Sequence, residues 1–389
     1  MKILYHHRTR STDAQRIHIR ELMRAFRALG HEVSEAALVP ADTELDNAAR
    51  DAGEAAWKAL ARRIPYAYEA ALFGYNFAGL PMLLLRAWKW RPDAIYERYA
   101  LHNFAGVLAG RLLRIPVVLE VNSPLALEHH RDGDLRWFGL ARWTERRIAN
   151  LAASVVAVSG PLRDLLVDGG VAPRKIHVMP NGVDPAAFST HAAQDIRSRL
   201  GLAGRTVVGF VGWFRNWHRI DLLLEAFRRS GLAGRGGALL LVGDGPAGPQ
   251  LRSLAARQHP DVVFTGPVPH ADVPGYAAAI DVAVQPAANE YCCPMKIIEY
   301  MALGKAIVAP RQPNIEELLR DHVEGRLFTP GDAGSLAAVL TEVALNEDKR
   351  RALGARARSV VESRGLTWTA NARRVIEVLA AREHRPASS

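Results

Sequence analysis

The chain has 389 residues, 49% of them hydrophobic and 23% charged, which fits a soluble globular protein and excludes disordered, collagen-like and disulfide-stapled classes. Its length accommodates two domains, each able to bury a core. The formal net charge is +10, and 43 of the 50 basic residues are arginine, a balance that favours nucleotides, phosphates or an acidic membrane face.

No long basic block, aromatic RNA-binding pair or zinc spacing accompanies that charge, so nucleic acid is not an expected partner. The opening MKILYHHRTR has too short an apolar run for a signal peptide. Ile3 and Leu4 begin a strand. A polar loop follows through Asp13, and IHIRELMRAFRALG then places Ile17, Leu22, Phe26 and Leu29 near helical spacing before Gly30. Val33 opens a second strand.

Trp57 to Trp90 is less regular, with aromatics interleaved with Arg and Lys. It suits either a helical pair covering the first sheet or a patch for a membrane surface or lipid acceptor. Its apolar run, Phe77 to Leu85, is interrupted by Pro81 and falls short of the ~20 residues a bilayer span needs. No segment is therefore expected to span a membrane.

Strand and helix then alternate. AIYERYA, an apolar helix, the buried run Pro116 to Val121, SVVAVS, a helix between Pro161 and Gly169-Gly170, and KIHVMP complete a first half. The turn-rich PNGVDP, Pro180 to Pro185, is the linker candidate. The alternation restarts through TVVGFVGW, IDLLLEAFRRSG, ALLLVGDG, PAGPQLRSLAARQ, VVFTG, DVPGYAAAI, DVAVQP, PMKIIEYMALG and AIVAP. Two such series predict an α/β fold of two doubly wound parallel sheets with helices on both faces.

Ligands of such sheets bind beyond the carboxyl ends of the strands. PMKIIEYMALG reads as a helix with Pro294 at its first position and Gly304 just past its end. Lys296 and Glu299 then share a side. Lys296 at a helix N-terminus suits a phosphate, and Glu299 suits two neighbouring sugar hydroxyls. An ordinary i,i+3 ion pair is the alternative. After GFVGW, Gly209 to Trp213, the residues Arg215, His218 and Arg219 form a basic loop able to face a diphosphate. The glycines of VGDGP read as structural. Asp132-Gly-Asp134 lacks the further ligands a metal site needs. Vicinal Cys292 and Cys293 make no long-range staple, which points to a reducing cytoplasm.

Together HIRELMRAFRALGHEV, VVAVSGPLRDLLVDGGVAPRKIHVMPNGVDPAAF, GFVGWFRNWHRIDLLLEAF, LLVGDGP and EYCCPMKIIEYMALGKAIVAP resemble the retaining nucleotide-sugar glycosyltransferases of the GT-B fold, glycosyltransferase family four. EVNSP and PMKIIEYMALGKAIVAP further resemble a branch linked to bacterial exopolysaccharide and exosortase systems. The resemblance implies two facing Rossmann-like domains with an interdomain cleft. Residues 1–183 would be the acceptor-side domain, 184–365 the nucleotide-sugar domain, and 366–389 a helix crossing back onto the first domain.

By position, the resemblance makes Glu299 the ribose-binding glutamate and Glu290 the catalytic glutamate near the donor sugar. Eight residues, Tyr291 to Ile298, separate them where the family leaves seven. The family's diphosphate-binding arginine and lysine fall at Trp213 and His218. Arg215 and Lys296, with His218 assisting, are expected to take over that charge. Asn122 stands where the family often has histidine. The implied reaction moves a sugar from a nucleoside diphosphate sugar to a glycan or lipid-linked acceptor without a metal or other cofactor. The cysteine usage points to the cytoplasm, and the basic N-terminal half with the Trp57–Trp90 stretch to a peripheral place on the inner face of the plasma membrane. The rival readings are a catalytically silent GT-B scaffold that binds sugar nucleotides and a sugar-nucleotide epimerase.

Overall fold

The computed structural model describes residues 1–9, 14–40, 66–188, 193–258 and 261–383. Two compact units result. One comprises Met1–Pro180 with Trp368–Ser389, the other Asn181–Thr367.

The first unit is built on β1 (Lys2–His6), β2 (Glu32–Ala36), β3 (Ala94–Arg98), β4 (Val117–Val121), β5 (Ser154–Ala157) and β6 (Ile176–Val178). All pair in parallel, in the order β2-β1-β3-β4-β5-β6. Strands β3, β4 and β5 are buried along their whole length, as expected of a sheet covered on both faces. The helix Ala14–Ala28 buries Ile19, Leu22, Met23 and Phe26. That face lies slightly to one side of the predicted stripe, because Ile17 and Leu29 are only partly buried. The helix Trp368–Glu383 packs against it, with Trp368 edge-on to His18 at 4.7 Å.

Residues 57–65 of the Trp57–Trp90 stretch lie outside the described residues. The rest forms one 24-residue helix, Ala67–Trp90, which corrects one expectation. The other member of a helical pair would fall in the part of the stretch outside the described residues. Pro81 does not interrupt it, because the proline and Phe77, whose carbonyl would lose its partner, both face solvent. By length and composition this helix is long and apolar enough to cross a membrane.

The second unit holds β7 (Thr206–Val211), β8 (Gly237–Val242), β9 (Val262–Phe264), β10 (Val282–Val284), β11 (Ala306–Pro310) and β12 (Arg326–Phe328). They are parallel in the order β12-β11-β10-β7-β8-β9. The chain winds outward from β7 one way through β8 and β9, then back through β10 to the other edge. The winding therefore reverses between β7 and β10. A crevice at the carboxyl ends of those two strands is where a doubly wound sheet takes its ligand.

Candidate functional site

The loops after β7 and β10 carry the candidate residues. Three glycines let the β7 loop lie against its neighbour. Gly212 has φ +143°, and a Cβ there would come within 2.3 Å of Lys296 Cε. Gly243 has φ +118°, and its Cβ would meet the Gly212 carbonyl oxygen at 2.2 Å. A Cβ on Gly245 would strike the Phe214 backbone. The Gly212 and Phe214 amides donate to the Val242 and Asp244 carbonyls at 2.9 and 2.8 Å. The glycines of VGDGP thus permit close backbone approach.

The helix Met295–Ala302 follows the β10 loop. Pro294 is its cap, one residue earlier than expected, and its carbonyl accepts the first helical bond from Ile297 at 3.1 Å. Gly304, at φ +64°, ends it. The Gly304 and Lys305 amides donate back to the Met301 and Tyr300 carbonyls. Tyr300 Oη accepts from the Val211 amide at 3.0 Å, pinning the helix to the end of β7.

That anchoring sets Lys296 beside Gly212. Its Nζ lies 5.2 Å from the centre of the buried Phe210 ring, and the His218 ring lies 5.4 Å from the same ring. Arg215 stacks on Trp217 at 4.9 Å. Glu299 stands one turn along from Lys296, and both side chains are half-buried. Among the described residues, Lys296, Glu299 and Arg215 make no ion pair within 4 Å and no side-chain hydrogen bond. The i,i+3 pair is therefore not formed.

Burial lowers the Lys296 amine pKa, with Glu299 and then Cys292 pulling the other way. Burial raises the Glu299 carboxyl, opposed by Lys296. Burial, then the positive charges of Lys296 and Arg215, push the His218 imidazole down to about 3, against a backbone hydrogen bond to Ala287. His218 is neutral at physiological pH and adds no charge for a diphosphate.

Structure thus gathers Lys296, Arg215 and His218 around Phe210 and Trp217, with Glu299 on the same helix. Glu290 is exposed on the loop ahead of that helix and makes no hydrogen bond among the described residues. Arg219 leaves the cluster, pairing with Asp221 at 3.0 Å. Trp213 is 46% exposed. In the first unit, Asn122 donates to Glu120, and Asp134 faces His129 at 3.5 Å.

Four amide side chains absent from the sequence expectations hold the β10 loop. Gln285 Nε2 donates to the Ala287 carbonyl at 2.5 Å and Gln312 Nε2 to Ala288 at 3.2 Å. Asn314 Nδ2 donates to Asn289 and Cys292, and Asn181 Nδ2 to Cys293 at 2.8 Å. Gln285 was legible in principle, as a polar residue closing the apolar run DVAVQP.

Comparisons with known proteins agree with this architecture. The family description "Glycosyltransferase Family 4" matches residues 15–187, and "Glycosyl transferases group 1" matches residues 205–346. A 2-deoxystreptamine N-acetyl-D-glucosaminyltransferase of Streptomyces fradiae is 28% identical over 288 residues, 67% of this chain and 65% of that protein. A 2-deoxystreptamine glucosyltransferase of Streptomyces kanamyceticus is 27% identical over 70% of this chain and 74% of its own. The crystal structure of Anabaena HepE in complex with UDP superposes with a TM-score of 0.74 at 21% identity, covering 98% of this chain and 100% of that one. The chain belongs to the GT-B glycosyltransferases of family-four type.

Proposed function

We propose that this protein is a retaining hexosyltransferase that moves a sugar from a nucleoside diphosphate sugar to a hydroxyl of a glycan or lipid-linked acceptor, in bacterial polysaccharide or glycolipid synthesis. The observation that carries this reading is the set of charged groups at the β7 and β10 ends that the protein leaves unpaired. An unpaired, half-buried charge is costly unless a ligand completes it. Lys296, Arg215 and the free N–H groups of the helix start suit a diphosphate, and Glu299 suits a ribose diol. HepE, a structural neighbour, has been crystallised with UDP and with UDP-glucose, which supports a nucleotide-sugar donor.

In the proposed reaction the anomeric carbon–oxygen bond breaks, and its electron pair leaves with the nucleoside diphosphate. The acceptor oxygen bonds to the same face of the sugar, and its proton passes to the departing phosphate. Lys296 and Arg215 stabilise the negative charge that grows on that phosphate. Glu290 lies near the sugar in this assignment. Purified protein screened against UDP-, GDP- and ADP-sugars should bind one class and slowly release its nucleoside diphosphate. Binding without hydrolysis or transfer would favour the silent scaffold, a reading kept open by Trp213 and the neutral His218.

A lipid-linked acceptor would be reached by peripheral binding at the cytoplasmic face. The first unit carries 29 Lys and Arg against 21 Asp and Glu. Its helix Ala67–Trp90 exposes Phe77, Leu85 and Trp88, and Lys89 and Arg91 are exposed at its end, while Arg86 donates to the Glu35 carbonyl. Such a face combines apolar insertion with attraction to anionic lipid. The protein should sediment with phosphatidylglycerol vesicles at low salt and be released as salt rises. Absence of sedimentation at low salt would make the acceptor soluble.

A further inference from the structure

His218 stands where the resemblance implies a phosphate-binding lysine, yet its surroundings are wrong for a cation. Its ring is packed by Phe210 at 5.4 Å and Trp217 at 5.9 Å. The charges facing it are Lys296, from the helix Met295–Ala302, and Arg215, from its own loop; both are positive. Its Nδ1 is buried and has no hydrogen-bond partner among the described residues.

Gln285 repeats the pattern from the other strand of the crevice. It is 1% exposed and immediately follows β10. Its Nε2 donates to the carbonyl of Ala287 at 2.5 Å. Its Oε1 is buried without a partner among the described residues. Both side chains follow strands at the point where the sheet's winding reverses, and each leaves a buried polar atom without a partner among the described residues, Nδ1 of His218 and Oε1 of Gln285. Buried acceptors are rarely left so. A carboxylate or phosphate oxygen cannot supply a proton to them, but a hydroxyl can.

We propose that His218 and Gln285 are a neutral acceptor pair that receives hydroxyl groups of the donor nucleotide sugar, while Lys296 and Arg215 alone compensate the diphosphate. This rests on the donor-binding reading above and adds a specificity role to it. A ligand hydroxyl can come from the ribose or from the transferred sugar. The nucleotide as diphosphate carries only the first, and its glucose ester carries both.

Calorimetry with UDP and UDP-glucose, or the GDP or ADP pair if that binds more tightly, tests the proposal on the full chain. His218→Phe keeps the ring and removes the acceptor; Gln285→Met does the same for the amide. Each should weaken the glucose ester about 5- to 10-fold, the effect of one hydrogen bond. An unchanged affinity for the diphosphate assigns the pair to the transferred sugar; an equal loss assigns it to the ribose. The phosphates of the glucose ester do not titrate between pH 5 and 8, so His218 should impose no pH dependence on its binding there. Binding that tightens below pH 6.5 in the wild type but not in His218→Phe would make His218 a phosphate cation and overturn the proposal. Unchanged affinity in both variants would overturn it too, as water would then complete the acceptors. Should the variants fail to fold, long-range ¹H–¹⁵N spectra of the wild type decide. Nδ1 should stay unprotonated to pH 5 and move upfield when the glucose ester binds; a protonated or unmoved Nδ1 rejects the pair. Failure of every nucleotide to bind would instead reject the donor-binding reading itself.

Discussion

Each unit places polar side chains at the ends of its central strands, but the two clusters are built in opposite ways. In the first unit Glu120, at 1% exposure, accepts from Arg98 at 2.7 Å, from Tyr96 Oη at 2.7 Å and from Asn122, with His18 at 3.6 Å. Burial alone would raise its pKa. His18, Arg98 and the two hydrogen bonds outweigh burial and hold it below the usual carboxylate range. His6 bridges Glu97 at 2.8 Å and Tyr75 at 2.9 Å. In the second unit Lys296 and Arg215 both act on His218, Glu299 stands one turn along from Lys296, and none of the three is paired among the described residues. A cluster whose charges satisfy one another stabilises the fold; a cluster whose charges do not is open to a ligand.

The sharpest way to break this contrast is to truncate one member of each. Glu120→Ala should cost about 3–5 kcal/mol of stability, because Arg98 is left buried without its partner. Lys296→Ala should shift the chemical-denaturation free energy by less than about 1 kcal/mol, yet lower donor turnover by about 10²- to 10³-fold. Denaturant midpoints and donor hydrolysis rates on both variants check this. A large stability loss in Lys296→Ala would make its cluster structural.

Glu299→Gln sharpens the same point. Its carboxyl gains no internal bond, so neutralising it should leave stability unchanged or raised, since burial already disfavours its charge. Donor kinetics should fall roughly 10- to 150-fold, the loss of one charged hydrogen bond of ~1.5–3 kcal/mol. Unchanged donor kinetics in a folded variant would remove Glu299 from the site.

A pH experiment reaches the first unit through His102. Its Nδ1 donates to Thr144 Oγ at 2.8 Å, since the Thr144 hydroxyl itself donates to the Ala141 carbonyl. Phe73 stacks on the ring at 4.2 Å. Burial, then His129 and Arg8, push its pKa from 6.5 down to about 4. The unfolded chain therefore binds the proton first as pH falls. Stability present above pH 6.5 is lost between 6.5 and 4, by about 2 kcal/mol at pH 5. His102→Phe should flatten that part of the stability profile between pH 8 and 5; an identical slope in the variant would deny the shift.

Much of this was legible in the residues, for identifiable reasons. β-Branched runs such as VVLEV and TVVGFV stand out, and their alternation with helices fixes a doubly wound sheet. The three-residue β12, Arg326–Phe328, is too short to announce itself. The helices Ala333–Ala344 and Glu347–Ser363 lie beyond the expected elements, although Asp332 and Asn346 cap them through their side chains. Spacing alone puts Lys296 and Glu299 on one side of a helix, but an ion pair and an open site look identical in sequence. Only packing against Gly212 and Phe210 separates them. A basic loop is read by residue type, which makes His218 a helper cation, whereas its neutrality comes from burial, from Lys296 far along the chain and from nearby Arg215.

The smallest effect is the coupling between Arg215 and Lys296. Both are unpaired, and both press on His218 with positive charge, so they face a common region. A diphosphate in a site of reduced dielectric needs more than one cation. Lys296 acts there as a point charge beside a helix start, whereas Arg215 can fork two oxygens. If they share that ligand, Arg215→Ala should weaken UDP about 3- to 10-fold and leave uridine unaffected, the loss of one hydrogen bond from a half-buried side chain. The double variant should fall short of the summed losses by at least ~0.5 kcal/mol, because each cation binds less strongly once the other no longer orients the phosphates. Calorimetry on the two single variants and the double, with UDP and uridine, measures this directly. Additive losses, or equal losses for uridine, would separate the two residues and leave Lys296 to hold the phosphate without Arg215.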